Sequence, residues 1–150
     1  MGKDGVKIME ILAQKLRENG LKVTPQRLSI YGILRDTKEH PSAEKIYEAI
    51  KQRMPSMSFN TVYKTLSSLE ENGLIKKLVV EESHYRFDAD TSPHAHILCV
   101  QCKKLEDVQG DFGERVKMMR EEFSARYNRE LFGEELYFFG YCLDCAAKKQ

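Results

Sequence analysis

The chain has no apolar run approaching the roughly 18 residues that a membrane-spanning helix needs, no internal repeat and no low-complexity segment. Its first residues, Met1-Gly-Lys-Asp-Gly, lead into a charged amphipathic stretch rather than the apolar core of a secretory signal. Gly2 is followed by Lys-Asp-Gly-Val, which lacks the Ser or Thr of an acylation motif. Net charge is small, +1. No cysteine is left over, because the four present fall into two spaced pairs. These absences argue against a membrane protein or a secreted one. A cytoplasmic protein is expected, with reduced thiols, where Cys-x-x-Cys pairs bind metal more often than they form disulfides.

What is present suits a packed fold. Of 150 residues, 41% are hydrophobic and 31% charged, enough for one ordinary domain or two small ones. The charge is unevenly spread: residues 1–87 hold 15 Lys/Arg against 11 Asp/Glu, and residues 88–150 hold 9 against 12. In a small protein this is compatible with chance. It also fits a first half facing nucleic acid and a second half given to metal binding and self-association.

Residues 7–18 read as a helix on the spacing of Ile8, Ile11, Leu12 and Leu16, ended by Asn19-Gly20. Thr24 caps a second helix with Pro25 in its first turn, and Leu28, Tyr31, Ile33 and Leu34 supply its apolar residues. Ser42 caps a third, faced by Ile46, Tyr47 and Ile50 and stopped at Met54-Pro55. Ser58 caps a fourth over 59–72, with Val62, Leu66 and Leu69 inward and Asn72-Gly73 closing it. Two β-type runs follow, Leu74–Val80 and His84–Phe87, separated by Glu81-Glu82-Ser83 as a hairpin.

Short helices ending in a hairpin make a winged helix-turn-helix, a fold that lays the second helix of the turn in the major groove. The fourth helix turns Asn60, Thr61, Tyr63, Lys64 and Ser67 outward, and these can reach base edges or phosphates. The same pattern would serve a helical subdomain with a solvated polar face. Asp88 to Pro93 reads as a hinge. Beyond it, strands at 97–100 and 105–108, a helix over 112–127 and a β-prone run at 136–141 make a second α+β half. The helix carries Phe112, Val116, Met119, Phe123 and Tyr127 on one stripe.

Cys99-x-x-Cys102 and Cys142-x-x-Cys145 each place two thiolates on a tight turn, and two such turns complete a tetrahedral shell. Zinc suits four sulfurs best. A closed thiolate shell leaves no open position, so this site is expected to be structural. His94-Ala-His96 puts two imidazoles on one strand face, with carboxylates nearby in sequence at Asp88 and Asp107. Such a nitrogen–oxygen set suits Fe(II), Mn(II) or Zn(II). The spacing alone does not bring His40 to it.

Thr24-Pro-Gln-Arg27, His40-Pro-Ser-Ala43, Thr61-Val-Tyr63, Gly73-Leu-Ile75, Arg86-Phe-Asp88, His94-Ala-His96 and both cysteine pairs follow one another in the order of a known family. On these motifs the chain resembles ferric uptake regulator family repressors over nearly its whole length. The resemblance implies an α+β protein: an N-terminal winged helix-turn-helix over 1–88, a hinge over 89–93, and a small α/β dimerisation domain over 94–150 with a structural zinc site at Cys99, Cys102, Cys142 and Cys145. It implies a homodimer on double-stranded DNA, at an AT-rich palindromic operator, with Arg27, Ser58, Asn60, Thr61, Tyr63 and Lys64 as DNA-binding residues. It also implies a regulatory Fe2+ or Mn2+ (Zn2+ being the alternative) held by His40, Asp88, His94, His96 and Asp107.

Within that family, iron sensors more often resemble glutamate at positions 88 and 107, and the peroxide-sensing branch resembles this chain in having aspartates. The resemblance therefore implies sensing of hydrogen peroxide by oxidation of a ligand histidine at His40 or His94. Iron- or other metal-responsive repression is the alternative. The chain departs from many iron sensors in having Pro93 and Ala95 where a second histidine/acid site would need ligands. Lys64 does not settle the branch, and His84 matches no ligand and reads as an ordinary wing residue. Two rivals come from other classes. One is a non-haem iron enzyme using His94, His96 and Asp88 or Asp107, for which the second half is small. The other is a zinc-stapled module that does not touch DNA.

Overall fold

The structure, a computed structural model, describes residues 3–82, 84–108 and 110–148, and the chain divides into two compact units, Met1–Thr91 and Ser92–Gln150. In the first, α1 (Lys3–Glu18), α2 (Pro25–Asp36), α3 (Ala43–Lys51) and α4 (Phe59–Glu71) precede a two-stranded antiparallel hairpin of β1 (Lys76–Glu81) and β2 (His84–Asp88). Local chemistry sets the boundaries. Thr24, Ser42 and Ser58 each accept a hydrogen bond from the backbone N–H three residues on, at Arg27, Lys45 and Thr61. Gly73 ends α4 at φ 71°, and the Leu74 N–H donates to the Leu69 carbonyl at 2.9 Å, closing a left-handed cap.

The helices meet on a continuous apolar cluster that includes Leu12, Leu16, Ile30, Leu34, Ile46, Ile50, Val62, Leu66 and Leu69, with Phe87 of β2 against it. Three expectations shift. The first helix begins at Lys3, not residue 7, and Ile11 faces outward rather than into the stripe. The third ends at Lys51, ahead of Met54-Pro55, because the Arg53 and Met54 N–H groups both turn back onto the Ile50 carbonyl. The hairpin's first strand runs from Lys76 through Glu81, which was expected in the turn, and its register slips between Val79 and Glu81, a bulge near the tip. Ser83, expected in that turn, lies outside the described residues.

The second unit is a three-stranded sheet in the order β4-β3-β5, with β3 Ala95–Cys99, β4 Leu105–Asp107 and β5 Leu136–Gly140. β3 and β4 are antiparallel; β3 and β5 are parallel, joined by a crossover through α5 (Phe112–Tyr127). Asn128, at φ 48°, ends α5 in the left-handed conformation that asparagine tolerates. Sequence periodicity shows an apolar stripe on α5, but this unit covers little of it: Val116 is buried, whereas Met119, Phe123 and Tyr127 are exposed. A short helix not expected from the sequence, α6 (Leu143–Ala147), carries Cys145.

Candidate metal centres and nucleic-acid face

The four cysteines converge from two turns. The β3–β4 connection folds tightly: the Cys99 N–H donates to the Lys104 carbonyl, the Lys103 N–H donates back to the Cys99 carbonyl, and Lys103 takes φ 61°. The second pair sits at the end of β5, with Cys142 at the N-cap of α6 and Cys145 in its first turns. All four sulfurs lie within 4.8 Å of one another, and Cys102 Sγ is 3.6 Å from Cys142 Sγ. A tetrahedral zinc shell with Zn–S near about 2.3 Å has sulfur–sulfur edges of about 3.8 Å, so the cage has the right size. Backbone N–H groups of Cys102 and Cys142 hold the Cys99 thiol down at about 6, while burial, reinforced by Cys142 and Cys102, pushes Cys145 up to about 12. Sulfurs crowded this closely all ionise together only around a cation. The donor set fits zinc, and α6 carries Cys145 to within reach of the other three sulfurs.

In the second unit, β3 alternation puts His94 just ahead of the strand and His96 on it, facing the same way. The β3–β4 register sets His96 opposite Asp107. His94 Nε2 lies 3.0 Å from His96 Nε2, and Asp107 Oδ1 is 3.5 Å from each. His94 Nδ1 lies 2.8 Å from the Ser92 carbonyl. A carbonyl can only accept, so a neutral His94 carries its proton on Nδ1 and presents Nε2 as a lone pair. Ligand atoms about 3.0 to 3.5 Å apart span the edges of octahedral and tetrahedral shells with bonds near about 2.1 Å. Two imidazole nitrogens and a carboxylate oxygen at these spacings fit a divalent cation.

The first unit brings together His40 and Asp88, far apart in sequence. Asp88 Oδ1 accepts the Asp90 N–H at 2.8 Å, and Oδ2 lies 3.5 Å from His40 Nε2. Both side chains are buried. His40 sits at φ 47° immediately before Pro41, although non-glycine residues avoid that region and proline disfavours compact conformations before it. Backbone held this way costs about 1–3 kcal/mol and persists only where the surroundings over-determine it. One such restraint is the Phe87 N–H, which donates to the Pro41 carbonyl at 3.1 Å and ties β2 to this loop.

Asn60, Thr61, Tyr63 and Lys64 are exposed on α4, as expected, and Ser67 is half-buried. Thr65, unremarked in the sequence, is buried on the same helix. Ser58 Oγ lies 2.9 Å from Thr61 Oγ1 and also takes the Thr61 N–H, so the Ser58 hydroxyl serves the cap. Arg27 lies on α2 and donates through Nη1 to the Lys22 carbonyl at 2.8 Å, leaving the rest of its guanidinium fork available. His84 lies exposed on the wing, with Nδ1 3.0 Å from the Glu82 carbonyl.

Sequence reasoning missed the neighbours that hold these candidate donors: Ser92 beside His94, Asp90 through its N–H to Asp88, and Tyr137, whose ring stacks on His96 with centroids 5.5 Å apart. The only signal for Tyr137 is the parallel register pairing it with His96, which follows from the crossover and not from local spacing.

The comparisons agree with this geometry. The family model described as "Ferric uptake regulator family" matches residues 18–139. The transcriptional regulator PerR of Clostridium acetobutylicum is 41% identical over 140 residues, covering 93% of this chain and 99% of that protein. The chain belongs to the ferric uptake regulator family. The peroxide operon regulator of Bacillus subtilis is 33% identical over 139 residues, covering 91% of this chain and 92% of its own length. In structure the chain is similar to the Helicobacter pylori ferric uptake regulator (TM-score 0.72, 27% identity, 94% of this chain and 93% of that one), whose structure is described as revealing three functional metal-binding sites. As a member of this family the chain is a metal-dependent transcriptional regulator with a winged-helix half and an α+β half carrying a four-cysteine cluster. The relatives are regulators, not enzymes. Among the described residues, no helix is long and apolar enough to cross a membrane.

Proposed function

We propose that this chain is a peroxide-responsive repressor in which one regulatory cation takes His40 and Asp88 from the first unit and His94, His96 and Asp107 from the second. The observation that carries the proposal is the pair of half-built sites, each a set of imidazole and aspartate donors held by its own backbone bonds. Residues 1–88 are the DNA-binding domain, 89–93 the hinge and 94–150 the dimerisation domain. A cation shared by donors on both sides of the hinge restrains it, so that less free energy is spent ordering the protein when it meets DNA. In a homodimer two α4 helices then present Asn60, Thr61, Tyr63 and Lys64 to successive major-groove faces of an AT-rich palindrome, with Arg27 on the flanking backbone. The exposed Met119, Phe123 and Tyr127 of α5 and Phe138 and Phe139 of β5 supply the apolar surface for pairing.

The peroxide branch is supported by the printed function of the Bacillus subtilis relative and by aspartates at both carboxylate positions. An Fe(II) held by these residues would lend the electron that breaks the O–O bond of hydrogen peroxide and would recover it as the ring is oxidised. Of the two peroxide oxygens, one would end on the imidazole ring of His40 or His94 in place of its C–H, and the other would leave as water. The altered ring is a poor donor, the cation is released and the repressor leaves DNA.

The test is peptide mass spectrometry of protein carrying structural zinc, loaded with Fe(II) or with Mn(II) and exposed to dilute hydrogen peroxide. Gain of one oxygen atom on His40 or His94 with Fe(II), absent with Mn(II), is the expected result. Unmodified histidines accompanied by iron-dependent DNA binding would assign the chain to iron-responsive repression instead.

A further inference from the structure

We propose that Gly113 is a positioning residue for His94, acting through the Pro93 carbonyl; this rests on the regulatory site described above. Gly113 is the second residue of α5, where glycine weakens a helix and no left-handed φ calls for it. Space calls for it. A Cβ built on Gly113 would run into the Pro93 carbonyl oxygen, well inside van der Waals contact, and would lie 3.5 Å from the Pro93 carbonyl carbon. The neighbour it would strike is backbone, so it cannot rotate away as a flexible side chain would.

That backbone is the piece on which the His94 geometry depends. Ser92 provides the carbonyl near His94 Nδ1, Pro93 links the two residues, and His94 Nε2 then sits 3.0 Å from His96 Nε2 and 3.5 Å from Asp107 Oδ1. α5 is poorly placed to yield. Its first residue, Phe112, packs edge-on against Phe138 of β5 with centroids 5.9 Å apart, and Val116 one turn on is buried. On the other side, Val108 N–H donates to the Ala95 carbonyl at 2.9 Å and fixes the start of β3 to the segment after β4. A methyl group at 113 therefore displaces the Ser92–Pro93–His94 segment and swings Nε2 out of the shell. The cysteine cage is built from other turns and is left alone.

The experiment compares wild type, Gly113→Ala, His94→Ala and the double variant, each carrying structural zinc. Mn(II) affinity is read by competition with a fluorescent chelator, alongside zinc content and thermal melting. Gly133→Ala is the control, since nothing lies within 4 Å of a Cβ there. Displaced supporting groups typically cost about 10–100-fold in metal affinity. That loss is expected for Gly113→Ala with zinc content and melting near wild type, none is expected for Gly133→Ala, and Gly113→Ala should add nothing in the His94→Ala background. Unchanged Mn(II) affinity in Gly113→Ala, beside weakened affinity in His94→Ala, overturns this inference alone. So does loss of zinc or early melting in Gly113→Ala, which would make the glycine a general packing residue. Full Mn(II) affinity in His94→Ala would take down the regulatory-site reading and this inference with it.

Discussion

The first unit buries a cluster running through all four helices and into β2, and several of its leucines and isoleucines have no exposed surface at all. The second unit, residues 92–150, buries Ala95, Leu98, Leu105 and Val116 beside a cluster made only of Cys99, Cys142 and Cys145. Its large apolar side chains mostly face outward: Met119, Phe123, Tyr127, Phe138, Phe139. A unit of this size with so small an interior usually needs a metal, a cross-link or a partner. The comparison teaches that burial accounts for the first half, whereas the second leaves much of its apolar surface uncovered and gathers four thiols into a cage that fits zinc. The half with the smaller interior is also the half that carries the cysteine cage and the His94, His96 and Asp107 donors.

The largest effect that would sharpen this contrast is loss of zinc. Structural zinc contributes on the order of 10–16 kcal/mol to the folding of small domains, so Cys99→Ser or strong chelation should unfold residues 92–150 and leave the first unit's amide signals dispersed in an NMR spectrum. Retention of both sets of signals would break the comparison. Next comes Leu66→Ala on α4, which should cost the first unit about 2–5 kcal/mol in denaturant while zinc content stays at wild type. Phe123→Asp on the exposed face of α5 should weaken dimerisation by at least about tenfold in sedimentation, roughly 1.4 kcal/mol, without releasing zinc. The smallest effect is on the rate of zinc uptake by reduced, zinc-free protein. The Cys99 thiol is lowered to about 6, so it is a thiolate above that pH and protonates below it. The rate of first capture by Cys99 should hold from pH 7 to 8 and fall below about pH 6, whereas zinc affinity should keep rising with pH, because the cage closes only when Cys145, pushed up to about 12, loses its proton.

The same contrast governs what could be read from the sequence. The helices of the first unit were legible because their signals are local: Thr24, Ser42 and Ser58 cap the helices they precede, and Gly73 closes the one before it. The cysteine cage was legible because each pair is a turn in itself. His40 with Asp88 was not, since their meeting depends on a left-handed residue before proline and on β2 bonding to the Pro41 carbonyl. Periodicity revealed the stripe on α5 but not that its own unit leaves Met119, Phe123 and Tyr127 uncovered. Five residues are too few to show α6 by periodicity, and Tyr137 reaches His96 only through the parallel pairing of β3 and β5.

The central claim, that a cation held by donors from both units controls DNA binding, is tested most directly by fluorescence anisotropy on an AT-rich palindromic duplex at fixed salt. Wild-type protein, His40→Ala and Asp107→Ala would each be titrated with and without Mn(II), all carrying structural zinc. The account predicts that Mn(II) tightens wild-type binding by about 100-fold, a coupling near 3 kcal/mol, and leaves both variants at the weak metal-free level. Equal affinity of the wild type with and without Mn(II), or full Mn(II) response in His40→Ala, would contradict it.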